Sequence, residues 1–415
     1  MAITGQVAVT ECDVLVIGGG PGGGAAALHC ARAGLATRVV EEHGEIGVPV
    51  HCGECISALA VDQLHLNLPE SVISRPVKGI RVIFPDGTAR KLTEPGYVLE
   101  KHEFERWISR EAEKAGAVLH LSHRLYSLEK LHDGGRFVGW RCSGDGDMFP
   151  IRAGVVIDAS GVAGVASRLL KLNPRPQVIA GLQYEMQDVP TDGYLDFYIW
   201  PSYATRGYVW VIPKAGGRAN VGLVSETRKG VAQGLERFIS QGSLKGRGRS
   251  NPPWRGSSEP AKGFGGAIPI SGPVDRTVDD GLLLVGDAAG FTSPLFEGGS
   301  HLALKSAGLA AQAAIEALGR GDTGAESLRQ YEERWRAEFP PYDRIMRGKD
   351  ALYALSDEEI SLMGRCLPEE MSNMGVQGKA RVGLRLLRRR PSLLRRRVIP
   401  AMMAFGYSRA KHCGW

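Results

Sequence analysis

Residues 12–41 read CDVLVIGGGPGGGAAALHCARAGLATRVVE. Cys12–Ile17 predicts a short apolar strand, and Ala25–Gly34 a helix of small residues closed by its last glycine. Thr37–Glu41 predicts a second strand ending in an acid. Between strand and helix, Gly18, Gly20 and Gly23 fit GxGxxG. The first glycine permits a tight turn, the second lets the backbone approach a pyrophosphate, and the third lets helix and strand pack closely. The helix N-terminus adds partial positive charge. Glu41 stands where an acid accepts hydrogen bonds from an adenosine ribose, which favours FAD or NAD over NADP. A glycine-rich turn without a ligand is the plain alternative. Strand, helix, second strand and terminal acid together favour a dinucleotide.

Downstream, Glu42–Gln63 reads as an irregular loop. Ile80–Phe84 and Thr88–Leu92 flank Pro85-Asp86-Gly87, a hairpin signal. Phe104, Trp107, Ile108, Ala112 and Ala115 keep helical spacing up to Gly116, and Ala117–Leu121 follows as a strand. Val155–Asp158 is a buried strand ending in Ala159-Ser160-Gly161. Val178–Val224 is β-like and aromatic, with Tyr194, Phe197, Tyr198, Trp200, Tyr203, Tyr208 and Trp210. The polar stretch Gln241–Ser258 reads as a loop. Gly281–Val285 is a last apolar strand, followed by Gly286-Asp287, Gly298-Gly299 and a helix over Ala303–Leu318; helices fill the chain after Ser327. An Asp at a strand end can hold a ribityl hydroxyl, and the amides of the next helix can face the pyrimidine end of an isoalloxazine. That favours FAD over NAD, although a capped helix after a core strand gives the same pattern.

The chain has 415 residues, 43% hydrophobic and 23% charged, the composition of a globular protein of two to three domains. No apolar run reaches the eighteen or so residues that a spanning helix needs. Met1–Asp13 lacks the basic and apolar regions of a secretory signal. The seven cysteines are odd in number and scattered, which argues for a reducing compartment and a cytoplasmic location. Cys52 and Cys55 form one CxxC with no second pair, so no metal is expected. Net charge is +6, and nine cations lie within Lys379–Arg397: Lys379, Arg381, Arg385, Arg388, Arg389, Arg390, Arg395, Arg396 and Arg397. The remainder is mildly acidic. With leucines beside the arginines, this segment reads as a solvated helix pair broken at Pro391, a nucleic-acid contact or a peripheral contact with anionic membrane. No nucleic-acid module accompanies it, and the membrane reading is preferred.

Gly18–Gly23 with Glu41, Lys101 opening a helix, Ala159-Ser160-Gly161 and Gly286-Asp287 resemble, in order, the motifs of the para-hydroxybenzoate hydroxylase-type FAD flavoproteins over about residues 11–320. Two positions depart: that family commonly has Arg where Lys101 stands and Asp where Ser160 stands, and lysine lacks the bidentate fork. Within it, three segments resemble the geranylgeranyl reductases, especially the archaeal type acting on isoprenoid ether lipids. Pro49-Val50-His51-Cys52-Gly53-Glu54 is similar to their PxxCGE-type loop. Tyr208-Val209-Trp210-Val211-Ile212-Pro213 is similar to their YxWxFP motif, and Gly265-Gly266-Ala267-Ile268-Pro269 to a GGxxP element.

The resemblance implies an α/β fold: a Rossmann-type FAD-binding domain from 1–170 and 276–330, an inserted β-sheet substrate domain over 171–275 that 72–100 joins in part, and a basic helical region over 331–415. It implies an FAD-dependent reductase that saturates isolated C=C bonds of a geranylgeranyl or polyprenyl lipid or diphosphate. An external electron donor, such as NAD(P)H or ferredoxin, would reduce the flavin. The expected cofactor-binding residues are Gly18, Gly20, Gly23, Glu41, Cys52, Gly53, Lys101, Gly286, Asp287, Gly298 and Gly299. Tyr208, Trp210 and Pro213 are expected at the substrate, and Cys52 and Tyr208 are the catalytic candidates. The rival class is a flavin-dependent halogenase or monooxygenase of an apolar or aromatic substrate, because Tyr208–Pro213 is one Tyr-for-Trp change from WxWxIP. A flavoprotein that only carries a prenyl lipid is the non-enzymatic rival.

Overall fold

The computed structural model describes residues 9–50, 52–241, 263–391 and 398–415. The glycine stretch folds as its spacing predicts. β1 (Thr10–Ile17) enters the turn, α1 (Pro21–Arg32) leaves it, and β2 (Thr37–Val40) returns parallel to β1 with Ile17 opposite Val40. Val14, Leu15 and Val16 are fully buried, as a parallel strand covered on both faces requires. The sheet runs β17 (Val278–Asp279), β18 (Leu282–Leu284), β11 (Ile151–Asp158), β1, β2 and β8 (Val118–His120). A hairpin of β9 (Arg124–Asp133) and β10 (Arg136–Asp145) extends it from β11. That hairpin turns through Gly134 and Gly135, both at positive φ, and was not legible in the sequence.

The small residues of α1 let two helices approach it, α3 (Lys101–Lys114) and α6 (Ser300–Gly319). A Cβ at Gly24 would fall 2.7 Å from the Ile108 side chain of α3. Beyond α6 lies α7 (Ala325–Glu338). α4 (Val165–Leu169) is capped by the carboxylate of Asp158, which accepts from the Ala166 amide at 2.7 Å.

A second, seven-stranded sheet runs β16 (Gly263–Pro269), β12 (Val178–Met186), β15 (Ala219–Ser225), β14 (Tyr208–Pro213), β13 (Tyr194–Tyr198), β5 (Gly79–Ile83) and β6 (Ala89–Leu92). The predicted hairpin thus supplies its edge. Along β14 the side chains alternate. Val209 and Val211 pack with Val221, Leu223 and Phe238 of α5 (Val231–Gln241). Tyr208, Trp210 and Ile212 pack on the other side, with Phe296 and the C-terminal helices. Those helices are α8 (Tyr342–Tyr353), α9 (Asp357–Cys366), α10 (Val376–Arg389), α11 (Val398–Tyr407) and α12 (Ala410–Cys413).

One expectation needs correction. Glu42–Gln63 is not irregular throughout: it ends in β3 (Cys55–Ser57) and α2 (Ala58–Gln63). β3 pairs with β7 (Gly96–Leu99), which also pairs with β4 (Ile73–Val77), and Ser57 caps α2 by accepting from the Ala60 amide at 3.1 Å. A three-residue strand is too short to show a period. The basic segment breaks at Pro391 as expected after α10, but Arg395, Arg396 and Arg397 lie outside the described residues, as do His51, Met1–Ala8 and 242–262. Among the described residues no helix is long and apolar enough to cross a membrane.

Candidate active site

At the turn after β1, Gly18 lies at φ +95°, and a Cβ there would meet the Ala159 carbonyl oxygen at 2.7 Å. A Cβ at Gly23 would stand 1.9 Å from the Gly18 oxygen, so only glycine lets α1 start so close to β1. Gly20 caps α1, and its Cβ position points into open space along the cleft. Glu41 ends β2. Its Oε2 accepts from the Gly19 amide at 2.7 Å and its Oε1 from the His43 amide at 2.9 Å. The acid therefore also braces the glycine turn. Ser160, the departure from the family pattern, accepts from the Val165 amide at 2.8 Å and donates to the buried Asp158 at 2.5 Å.

The Cys52-Gly53-Glu54 loop follows. Glu54 adopts φ +72°, a left-handed conformation that few non-glycine residues take. Its carboxylate holds it there: Oε1 accepts from the Lys101 amide at 3.1 Å, and Oε2 from Lys214 Nζ at 2.8 Å and Asn220 Nδ2 at 2.5 Å. Lys214 also pairs with Glu100 at 2.9 Å and Glu185 at 3.2 Å. Burial pushes the Lys214 ammonium down, but Glu54 and Glu100 outweigh it and its affinity for the proton rises. Burial likewise pushes Glu100 up, yet hydrogen bonds from Ser74, Lys214 and Arg218 hold it at about 2. Lys101 is buried against Glu105; burial again opposes its charge, and Glu105, Cys52 and Glu54 prevail. Cys52 Sγ accepts from the Glu54 amide at 3.2 Å and lies 3.9 Å from Ser300 Oγ at the start of α6. The Cys55 thiol is pushed up to about 12 by burial, and both cysteines are free.

Across the cleft, Gly286 (φ +57°) leads into Asp287, whose Oδ1 accepts from Thr292 at 2.9 Å. Burial raises the Asp287 carboxyl, against that hydrogen bond and the charge of Lys101. Gly299 caps α6, and a Cβ on it would stand 3.1 Å from Asp287 Oδ1. A Cβ on Gly298 would collide with the Trp415 carbonyl at 2.0 Å. The N-terminus of a twenty-residue helix therefore faces the cleft with its amides uncovered by side chains.

The aromatic wall completes the site. Tyr208 packs against Phe197 and Phe296, with ring centroids 5.3 and 5.5 Å away. Its hydroxyl donates to the Phe296 carbonyl at 2.6 Å. Burial first, then the charge of Glu297, holds the phenol's proton well above its ordinary range. Trp210 Nε1 donates to Gln183 Oε1 at 3.2 Å, and Gln183 Nε2 donates to the Cys52 carbonyl at 2.8 Å. The wall is thus tied to the cysteine loop through one amide side chain.

These parts line a single cleft of about 610 Å³ that runs from the glycine turn past Cys52 and Asp287 to Tyr208 and Trp210. All the expected cofactor-binding residues border it except Gly23, which packs behind the turn. Pro213 is elsewhere: it ends β14 on the face opposite Tyr208, Trp210 and Ile212, outside the lining. The sequence reading missed Gln183, Lys214, Asn220, Phe296 and Glu297. Only Lys214 carried a hint, as a charge directly after a buried strand. Among the described residues no group of three or more His, Cys, Asp or Glu side chains is placed to hold a metal ion. The residues present fit FAD. Gly20 with the α1 N-terminus would hold a pyrophosphate, Glu41 an adenosine ribose, and Asp287 with the α6 N-terminus the flavin end. The cleft volume falls within the usual range for bound cofactors.

Residues 13–169 match the family described as FAD dependent oxidoreductase, and residues 177–250 the geranylgeranyl reductase catalytic domain. The chain is 33% identical to digeranylgeranylglycerophospholipid reductase 2 of Methanopyrus kandleri, over 93% of this chain and 98% of that protein. It is 34% identical to the digeranylgeranylglycerophospholipid reductase of Methanothrix thermoacetophila, over 91% and 96%. Among solved structures it is similar to a geranylgeranyl bacteriochlorophyll reductase-like protein from Thermoplasma acidophilum, with a TM-score of 0.80, 29% identity and coverage of 93% and 98%. A flavin-dependent brominase aligns with a TM-score of 0.66 at 19% identity, over 85% and 90%, a likeness of fold alone.

Proposed function

This chain belongs to the geranylgeranyl reductase family of FAD-dependent oxidoreductases, and from that premise we propose that it saturates isolated C=C bonds of a geranylgeranyl or polyprenyl chain carried on a lipid or a diphosphate. The names of the relatives favour a digeranylgeranyl glycerophospholipid as the substrate class. The observation that carries the reading is the continuity of one cleft from the glycine turn to the apolar wall of Phe197, Tyr208, Trp210, Ile212 and Phe296.

FAD, once reduced by an external donor, supplies a hydride. The chain's own residues do the rest. Gly18, Gly20 and the α1 N-terminus would hold the pyrophosphate, Glu41 the adenosine ribose, and Asp287 the ribityl chain. An isolated alkene offers no oxyanion for the protein to stabilise, so positioning in a dry channel contributes much of the catalysis. Tyr208 and Trp210 supply that surface and exclude water. With its hydrogen committed to the Phe296 carbonyl, Tyr208 acts by position. Cys52, between the Glu54 amide and Ser300, suits contact with the flavin.

The membrane face of the reading rests on α10. Its Val382 and Leu386 are buried, while Leu384 and Leu387 are about half exposed beside Lys379, Arg381, Arg388 and Arg389. Ile399 and Met403 on α11 are similarly exposed. Exposed apolar and basic side chains on these helices suit a bilayer of anionic lipid, where a polyprenyl substrate resides. The test is mass spectrometry of prenyl lipids after incubation with dithionite-reduced protein, where each saturated bond adds one H2.

A further inference from the structure

Glu297 stands in the cleft wall between Phe296 and Gly298, at φ +50°, with its side chain 3% exposed. Its Oε1 lies 3.1 Å from Lys349 Nζ of α8, whose side chain is 5% exposed. Its other oxygen, Oε2, is buried without a hydrogen-bond partner among the described residues. A left-handed glutamate and an orphaned carboxyl oxygen both cost free energy, and both occur here two residues before Gly299, the cap of α6. The groups facing Glu297 are Lys349 and Tyr353 from α8, Tyr208 from β14, and Glu226 beyond β15. Glu226 is itself paired with Arg206 at 2.8 Å.

The reduction proposed above requires an acid at this wall. An unconjugated alkene has no group to accept the electron pair of a hydride, so a proton must reach one carbon as hydride reaches the other. The Cys55 thiol is held well above its ordinary range, Cys52 stands beside Ser300 at the α6 N-terminus, and the Tyr208 hydroxyl is committed to a carbonyl. We propose that Glu297 is the catalytic acid, its carboxyl aimed by Lys349 and backed by Tyr208. The inference rests on the prenyl-reductase reading. In the step, the carboxyl O–H bond breaks and its proton bonds to one alkene carbon using the π electrons. The hydride from reduced flavin bonds to the other carbon, and the flavin is oxidised by two electrons. The carboxylate left behind is held by the Lys349 ammonium and takes its next proton from water. Burial, opposed by Lys349, raises the free carboxyl to about 7, so that it carries a proton near neutrality and can release it.

The test uses dithionite-reduced holoenzyme and a digeranylgeranyl glycerophospholipid in detergent, with flavin reoxidation followed in a single turnover. E297Q should bind FAD and be reduced like wild type, yet reoxidise at least about 100-fold more slowly. The wild-type rate should fall as pH rises through about 7, a limb absent from E297Q and moved to higher pH in K349M. Independently of turnover, infrared spectra of the protein should show a protonated-carboxyl band that fades through the same pH and is missing from E297Q. A smaller loss of rate, an unchanged limb in either variant, or an unchanged band overturns the assignment while prenyl reduction by wild type stands. Failure of wild type to reoxidise with the lipid overturns the functional reading, and this assignment with it.

Discussion

Lys214 Nζ lies 2.8 Å from Glu54 Oε2, with the two side chains 3% and 4% exposed. The pair spans 160 positions of sequence and fastens the cysteine loop to the sheet that carries the aromatic wall. Removing one partner from such a pair leaves a buried charge uncompensated and costs about 3–5 kcal/mol. K214M should therefore lower the thermal midpoint of the holoprotein and loosen FAD, and adding E54Q should restore only part of the loss, because Glu100 and Glu185 lose the same ammonium. Equal midpoints for wild type and K214M would show that the loop is held by other contacts.

Trp210 lies flat over β15 only because residue 222 is glycine: a Cβ there would fall 2.3 Å from the indole. Gly222→Ala should push the ring off its place at a cost of about 1–3 kcal/mol. W210A removes the ring outright. Both should cut turnover of long prenyl substrates while absorbance at the flavin bands stays at the wild-type level. Full turnover in both would mean that the wall is packing and not a substrate surface.

Much of this was legible in advance, and the boundary is physical. The glycine turn is local: each glycine answers a steric demand within a few residues or against the neighbouring strand, so the pattern shows in thirty letters. Tyr208 and Trp210 were legible through the resemblance of their segment to the YxWxFP motif; Pro213 came with that motif but stands one step out of phase on the strand, outside the cleft lining. Gln183, Lys214 and Glu297 were hidden because each acquires its role only when distant segments meet. Glu297 sat unread within a stretch whose glycines drew attention. Cys55–Gln63 escaped because three residues cannot display a strand period.

The Glu297 carboxyl also makes stability depend on pH with a definite sign. An unfolded glutamate titrates near 4.5, and burial raises the folded group to about 7. The folded state thus holds the proton more tightly. Its contribution is complete below about 4.5, is lost as pH rises to about 7, and is constant beyond. The shift corresponds to on the order of 3 kcal/mol. E297Q, which cannot ionise, should gain thermal stability relative to wild type between pH 5 and pH 8. A difference between the two proteins that does not change with pH would contradict the raised carboxyl.

Binding to vesicles should depend on α10. Each cation near an anionic surface contributes about 1 kcal/mol, so replacing Lys379, Arg381, Arg388 and Arg389 by Gln should remove roughly 4 kcal/mol of attraction. Co-sedimentation of wild type with anionic vesicles should fall steeply as salt rises, because exposed charges are screened over about 8 Å at physiological ionic strength. Activity on detergent-solubilised substrate should be retained by the variant. Equal sedimentation of the two proteins would make the basic face an ordinary solvated surface.

The most direct measurement is mass spectrometry of a digeranylgeranyl glycerophospholipid incubated anaerobically with the dithionite-reduced holoprotein. The expected result is a ladder of products, each heavier by one H2, that requires bound FAD and forms more slowly with W210A. An unaltered lipid with wild type, or a product that forms only with oxygen and halide, would contradict prenyl reduction.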